Sequence, residues 1–330
     1  MKTKKGLVCL FLALITVLSL FSCGEDSPVF CKEEYSTSAG TLTLWAAYSH
    51  GDGEKAEAFT DEELSEILKK TADRFETVYT ELTSGQALAE VNGETDVILD
   101  ADEVFVSVLN QAFKLSADTN GAFTPAHGAY TELKKSGNIT EEAVAEALSH
   151  CGTDKFIIDK TTVRKSDRKA KIDLCSFAAG YALDEALKVL TESGVEHGRL
   201  SLGNLEEVFG SKPDGNAYTI GIENDGVTPG YFRITDGCVS SAVTDPENLN
   251  YAKKDGDFTK VTVFASQAST AEALSHVLLN MSEEEAKALY ESHALSFEAV
   301  MITKDGKTVM TDRAETGLYI EETSETEKDG

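Results

Sequence analysis

Apolar residues recur at helical spacing through the first half of this chain and fall into short strand-like runs after about Cys151, a division that excludes most simple architectures. Between Asp61 and Val78, Leu64, Ile67, Leu68, Ala72 and Phe75 mark one helix face, behind Thr60 as an N-cap with Glu63 three residues on. Val104 to Ala117 repeats the pattern, and Thr140 to Cys151 opens with a Thr cap and acidic residues in its first turn. In this half only Gly40 to Tyr48 alternates like a strand. Beyond it, strands are predicted at Phe156 to Asp159, Thr162 to Arg164, Arg199 to Leu202, Tyr218 to Glu223, Tyr231 to Ile234 and Val261 to Ala265. Helices are predicted at Ala178 to Ser193, Thr270 to Asn280 and Glu283 to Ser292. Asp305-Gly306, between Ala299-Val300-Met301-Ile302 and Thr308-Val309-Met310, reads as a hairpin turn. There is no internal repeat and no strict strand-helix alternation, so the pattern predicts an α+β fold with mixed strands rather than a doubly wound sheet.

The amino terminus reads as an export signal. Lys2, Lys4 and Lys5 precede an apolar run from Gly6 to Phe21, and Ser22, Cys23 and Gly24 follow at once. The run has 16 residues, short of the roughly 20 a membrane-spanning helix needs. Leu20-Phe21-Ser22-Cys23 resembles a bacterial lipobox, which makes residues 1–22 a signal peptide and Cys23 the lipidated first residue of the mature protein. The expectation is an exported protein anchored by lipid to the outer face of the cytoplasmic membrane or to the outer membrane on its periplasmic side. A plain cleaved signal with Cys23 as an ordinary thiol is the alternative. Residues 23–37 read as a polar tether, 38–320 as one large domain, and 321–330 as a disordered acidic tail.

A formal charge of −27 over 330 residues would repel nucleic acid and anionic headgroups, and loss of the leader lysines deepens it. No nucleic-acid partner is expected. Cys31, Cys151, Cys175 and Cys238 remain in the mature domain without a CxxC pair or metal-finger spacing, and read as buried thiols or an unassigned disulfide.

Five segments carry a resemblance in order. They are Gly40-Thr41-Leu42-Thr43, Asn120-Gly121-Ala122-Phe123-Thr124-Pro125, the run from Lys171-Ile172-Asp173 to Gly180-Tyr181-Ala182-Leu183-Asp184, Leu202-Gly203-Asn204, and Ala271-Glu272-Ala273-Leu274-Ser275-His276. Together they resemble the ApbE-like FAD:protein FMN transferases over about residues 38 to 312. The resemblance implies that family's T-fold-related architecture and cleavage of the FAD pyrophosphate. FMN then passes to a Thr or Ser of an exported redox protein, and AMP is released. FAD is the substrate and Mg2+, Mn2+ or another divalent ion the cofactor.

Carried over residue by residue, the resemblance places Ala122, Phe123, Thr124, Asp173 and Ala179 at the flavin and Ser176, Glu272 and His276 at the metal. Glu272 stands where the family has Asp, and His276 where it has Thr. Four residues apart on a helix, they share a face, and an imidazole favours borderline metals over Mg2+; a surface or capping pair without metal is the alternative. The family His three residues before an Asp-Pro is Ala242 here, ahead of Asp245-Pro246. The family's flavin-side aromatic falls near Leu82 and its turn Asp at Thr124. Asp173 and His127 are the candidate catalytic groups, with a packed His127 beside Tyr130 as the alternative. Ser240 and Ser241 read either as ligand contacts or as a turn after Gly237. Three readings follow: an active transferase, a relative that only binds FAD or hydrolyses it to FMN and AMP, and a non-catalytic surface lipoprotein.

Overall fold

A computed structural model describes residues 29–48, 59–212, 214–224, 227–244 and 256–317. In chain order its elements are β1 (Val29–Thr37), β2 (Gly40–Tyr48), α1 (Asp61–Ser84), α2 (Gln86–Val91), β3 (Val97–Ile98), α3 (Glu103–Asp118), α4 (Gly128–Ser136) and α5 (Glu141–Ser149). Then come β4 (Phe156–Asp159), β5 (Thr162–Lys165), α6 (Cys175–Glu192), β6 (His197–Leu202), β7 (Leu205–Phe209), β8 (Tyr218–Asn224) and β9 (Val227–Ile234). The chain continues through β10 (Gly237–Val243), β11 (Phe258–Ala265), α7 (Ala268–Leu279), α8 (Glu283–Glu291), β12 (Phe297–Thr303), β13 (Thr308–Met310) and α9 (Asp312–Gly317).

The main sheet has eight strands in the order β1-β2-β6-β7-β10-β11-β12-β13. Its inner face is written in simple alternation, with Leu42, Leu44 and Ala46 of β2 and Val261 and Val263 of β11 all fully buried. On that face lie α1 and α7, and α6 packs against both helices. Helix α7 is buried nearly all round, which its Ala-rich sequence allows because it is held between α6 and the sheet. The opposite face near β12 is covered by the β8-β9 hairpin and α9, with Phe232 against Phe264 at 4.3 Å between ring centroids. A smaller sheet, β3-β5-β4, stands apart from the main one.

The fold is α+β, as the pattern predicts, and the capping box at Thr60 and Glu63 is present. Every strand pair among the described residues is antiparallel. Two expectations are corrected. The tether ends early: from Val29 the chain is strand β1, paired with β2 from Val29↔Tyr48 to Thr37↔Gly40. It escaped the pattern because an edge strand is polar. Cys31 and Tyr35 pack against the core, and Glu33 between them is held by the Ser65 and Tyr35 hydroxyls. Ser240 and Ser241 are not in a turn but in mid-strand β10, bonded to Ser275 at 3.0 Å and Thr262 at 2.8 Å. The leader, Cys23 and the acidic tail lie outside the described residues.

Candidate active site

The Asn120 segment forms a tight turn after α3. Asn120 and Gly121 take left-handed φ values of 52° and 81°, conformations that Asn and Gly tolerate. The Thr119 hydroxyl receives the Phe123 N–H at 3.1 Å and closes the turn. Phe123 points into the core, 1 % exposed, against Phe177 of α6. Pro125 and Ala126 then run beside the second segment, where the Asp173 N–H bonds Pro125 O at 2.7 Å and Gly128 N–H bonds Lys171 O at 3.0 Å. Asn92 pins the same stretch from the other side, giving Nδ2 to Ile172 O at 2.9 Å and accepting the Ile172 N–H at 2.7 Å.

Asp173 therefore sits at the entry of α6 with its carboxylate on the Cys175 N–H, 2.9 Å away. Its Oδ2 lies 3.8 Å from His127 Nε2. Burial alone would raise its pKa. Hydrogen bonds from Cys175 and Thr131 and the charge of His127 outweigh that and hold it below the usual carboxylate range, so it is ionised. His127 Nδ1 contacts the Thr124 carbonyl. A carbonyl only accepts, which places a proton on Nδ1 and turns Nε2 towards Asp173.

The third segment meets the second where α6 crosses the start of α7. A Cβ at Gly180 would lie 2.4 Å from the Ala268 carbonyl, so only glycine permits the crossing. The regular helical acceptor for the Gly180 N–H is Ser176 O. Ser176, however, is kinked out of helical geometry at φ −91°, ψ 22°, and the Gly180 N–H donates to Glu272 Oε2 at 2.8 Å. Burial, with the nearby charge of Asp184, pushes Glu272 up to about 8 despite that bond. One turn along α7, burial pushes the His276 pKa down and favours its neutral, ligating form. Asp184 accepts the Ala268 and Ser269 N–H groups at 2.7 and 3.1 Å, capping α7.

A cavity of about 600 Å³ opens beside these segments, lined on one side by Asn120, Ala122, Thr124 and His127 and on the other by Val277 and Asn280 of α7. Of the predicted flavin residues, Ala122 and Thr124 line it. Phe123 is turned inward, while Asp173, Ala179, Ser176, Glu272 and His276 stand outside its lining. His127 bridges the two parts, lining the cavity and contacting Asp173. Leu82 is a core residue, 3 % exposed. The aromatic near the carboxylates is instead Tyr79, one turn earlier in α1, whose hydroxyl is raised by burial and by the charges of Cys175 and Glu272. Tyr79 and Asn92 were hidden in the sequence, the first inside an apolar stripe and the second in a turn whose partner lies 80 residues away. Ala242 is buried at the end of β10, and Asp245 and Pro246 lie outside the described residues.

The fold and this site define an α+β protein with a cavity of cofactor size beside a buried acidic node. The family model of the ApbE family matches residues 40–301, and the chain belongs to that family. It is 24 % identical over 342 residues to the FAD:protein FMN transferase of Haemophilus influenzae, covering 92 % of this chain and 95 % of that protein. The Vibrio cholerae FAD:protein FMN transferase is 24 % identical over 228 residues, 61 % of this chain and 68 % of that one. Among solved structures, the flavin transferase ApbE from Vibrio cholerae superposes with a TM-score of 0.73 at 18 % identity, covering 88 % of this chain and all of that one. The apo flavinyl transferase ApbE of Pseudomonas stutzeri gives 0.72 at 20 % identity, over 90 % and 98 % of the two chains. At these identities the structures speak for the shared fold.

Proposed function

We propose that this protein is an FAD:protein FMN transferase that moves FMN from FAD onto a Thr or Ser hydroxyl of an exported redox protein and releases AMP. The observation that carries this reading is the convergence at one α6–α7 crossing of the three segments 120–127, 171–184 and 271–276, all inside the family match. In the reaction the acceptor hydroxyl oxygen bonds to the FMN-side phosphorus of the pyrophosphate, the bond from that phosphorus to the bridging oxygen breaks, and AMP leaves with that oxygen. The hydroxyl proton goes to His127 Nε2, and the ionised Asp173 stabilises the resulting imidazolium. This gives His127 the task that Ala242 is unable to perform. Ala122 and Thr124 wall the flavin side of the cavity.

The donor set at the crossing fits a divalent ion: a buried carboxylate, an imidazole one turn on, and a hydroxyl at the α6 kink. Glu272, His276 and Ser176 would hold Mg2+ or Mn2+, which when bound supplies neutralisation and orientation of the phosphate oxygens. Export through the leader and lipidation of Cys23 would place the site on the compartment side of its acceptors.

The test is mass spectrometry of an acceptor domain bearing a flavinylation-type Thr, incubated with residues 24–330, FAD and Mg2+ or Mn2+, with AMP and FMN followed in parallel. A mass gain of FMN less water with equimolar AMP supports the transferase. AMP with free FMN and an unmodified acceptor would replace it with a hydrolase, and no turnover would leave a binding protein.

A further inference from the structure

Behind the α6–α7 crossing, on the sheet side, lies a second acidic cluster that flavin transfer does not use. Strands β7 and β10 are neighbours, and Glu207 and Cys238 face each other in register across them. Cys238 is 1 % exposed and Glu207 3 %. The thiol donates to Glu207 Oε1 at 3.5 Å. Asp184 reaches in from α6, and one donor atom from each of the three residues lies within 4.8 Å of the others.

What needs explaining is Glu207 Oε2, a buried oxygen without a hydrogen-bond partner among the described residues. As a carboxylate it is an uncompensated charge, and as an acid its O–H has no acceptor; either state costs free energy in the interior. The neighbouring groups do not relieve it. Asp184 is itself acidic and spends its oxygens on the α7 N-terminus, and Lys188, close to Asp184, gives its ammonium to Glu185.

We propose that Asp184, Glu207 and Cys238 form a structural site for a borderline divalent cation of the zinc type, separate from the flavin site. A thiolate selects against Mg2+ and Ca2+, and the two carboxylates bring the protein donors to three of the four that Zn2+ and Co2+ take in tetrahedral geometry. Donors around such an ion stand roughly 3.4–3.8 Å apart, so the cluster closes by about an ångström on binding. The ion would satisfy Glu207 Oε2 and join β7 and β10 to Asp184. Through the Asp184 cap it would fix the start of α7, and with it Glu272 one turn on.

Cobalt is the probe, because a cobalt-thiolate bond gives a near-ultraviolet charge-transfer band whether or not the enzyme turns over FAD. Purified residues 24–330, stripped with chelator, are titrated with Co2+ and then with Zn2+. The expected result is one thiolate-bound Co2+ per chain, displaced by Zn2+ and accompanied by a higher melting temperature. The band is expected to vanish in Cys238→Ser and Glu207→Gln and to survive in Glu272→Ala, which distinguishes this site from the flavin-side ion. Absence of the band in the wild-type chain, or its persistence in Cys238→Ser, overturns the proposal without touching the transferase reading.

Discussion

Two buried ionic groups in this protein are treated in opposite ways. Lys165, at the end of β5, is 5 % exposed, and its ammonium donates to the carbonyls of Val91, Gly93, Arg168 and Ala170 at 2.5–3.2 Å. Three N–H groups thus meet four acceptors, so the charge is fully solvated by backbone and ties α2, β5 and the segment leading to Asp173 together. Glu272 is as deeply set but has one backbone N–H for two carboxylate oxygens. A saturated buried ion holds the chain in place, whereas a half-satisfied one costs stability and has capacity left for a ligand.

Lys165→Met is the strongest challenge to the first half of that comparison. It removes the ammonium from four carbonyls, of which Gly93 O keeps the Thr95 N–H, and is expected to cost about 3–5 kcal/mol in urea unfolding; a loss under 1 kcal/mol would mean the node is not structural. The next effect concerns pH in the metal-free protein. Glu272 is raised from 4.5 to about 8 in the folded chain by burial and by Asp184, with Tyr79, Cys175 and His276 also close by. The folded state then keeps a proton that the unfolded state has lost, so stability is full below about pH 4.5 and falls as pH rises towards 8. Glu272→Gln removes that titration. Its unfolding free energy should decline less over pH 5 to 8, by up to a few kcal/mol, and parallel slopes for the two proteins would refute the assignment.

Gly180→Ala sharpens the comparison by prising α6 from α7 without altering any charge. A methyl 2.4 Å from the Ala268 carbonyl forces the helices apart, an overpacking cost of about 1–3 kcal/mol, with Glu272 displaced from its N–H and FMN transfer reduced further than stability alone explains. Unchanged transfer in a destabilised variant would separate the crossing from the chemistry. The smallest effect is at the surface, where the Thr60–Glu63 box is also fully satisfied but solvated. Thr60→Ala should cost about 1 kcal/mol, measured by thermal melting, because water replaces the lost bond.

The same division explains what could be read in the sequence. Thr60 and Glu63, the helix carrying Glu272 and His276 four apart, and the hairpin at Asp305-Gly306 are local patterns, and each is found where the spacing puts it. Strand β1 was concealed by its edge polarity, and β10 by two serines whose partners lie 35 and 21 residues away. The site was legible in its parts. That Gly180 presents its N–H to Glu272, that Phe123 turns inward, and that Glu207 meets Cys238 depend on contacts distant in the chain, which no periodicity encodes.

The most direct measurement of the account is AMP release from FAD by the wild-type chain, Glu272→Ala and Asp173→Ala across a Mn2+ titration, with far-ultraviolet circular dichroism to establish folding. The account predicts that folded Glu272→Ala loses metal-dependent turnover by roughly a hundredfold or more and requires higher Mn2+, and that Asp173→Ala loses rate at saturating metal within the range of an impaired general base. Unchanged turnover and an unchanged Mn2+ requirement in both variants would contradict it.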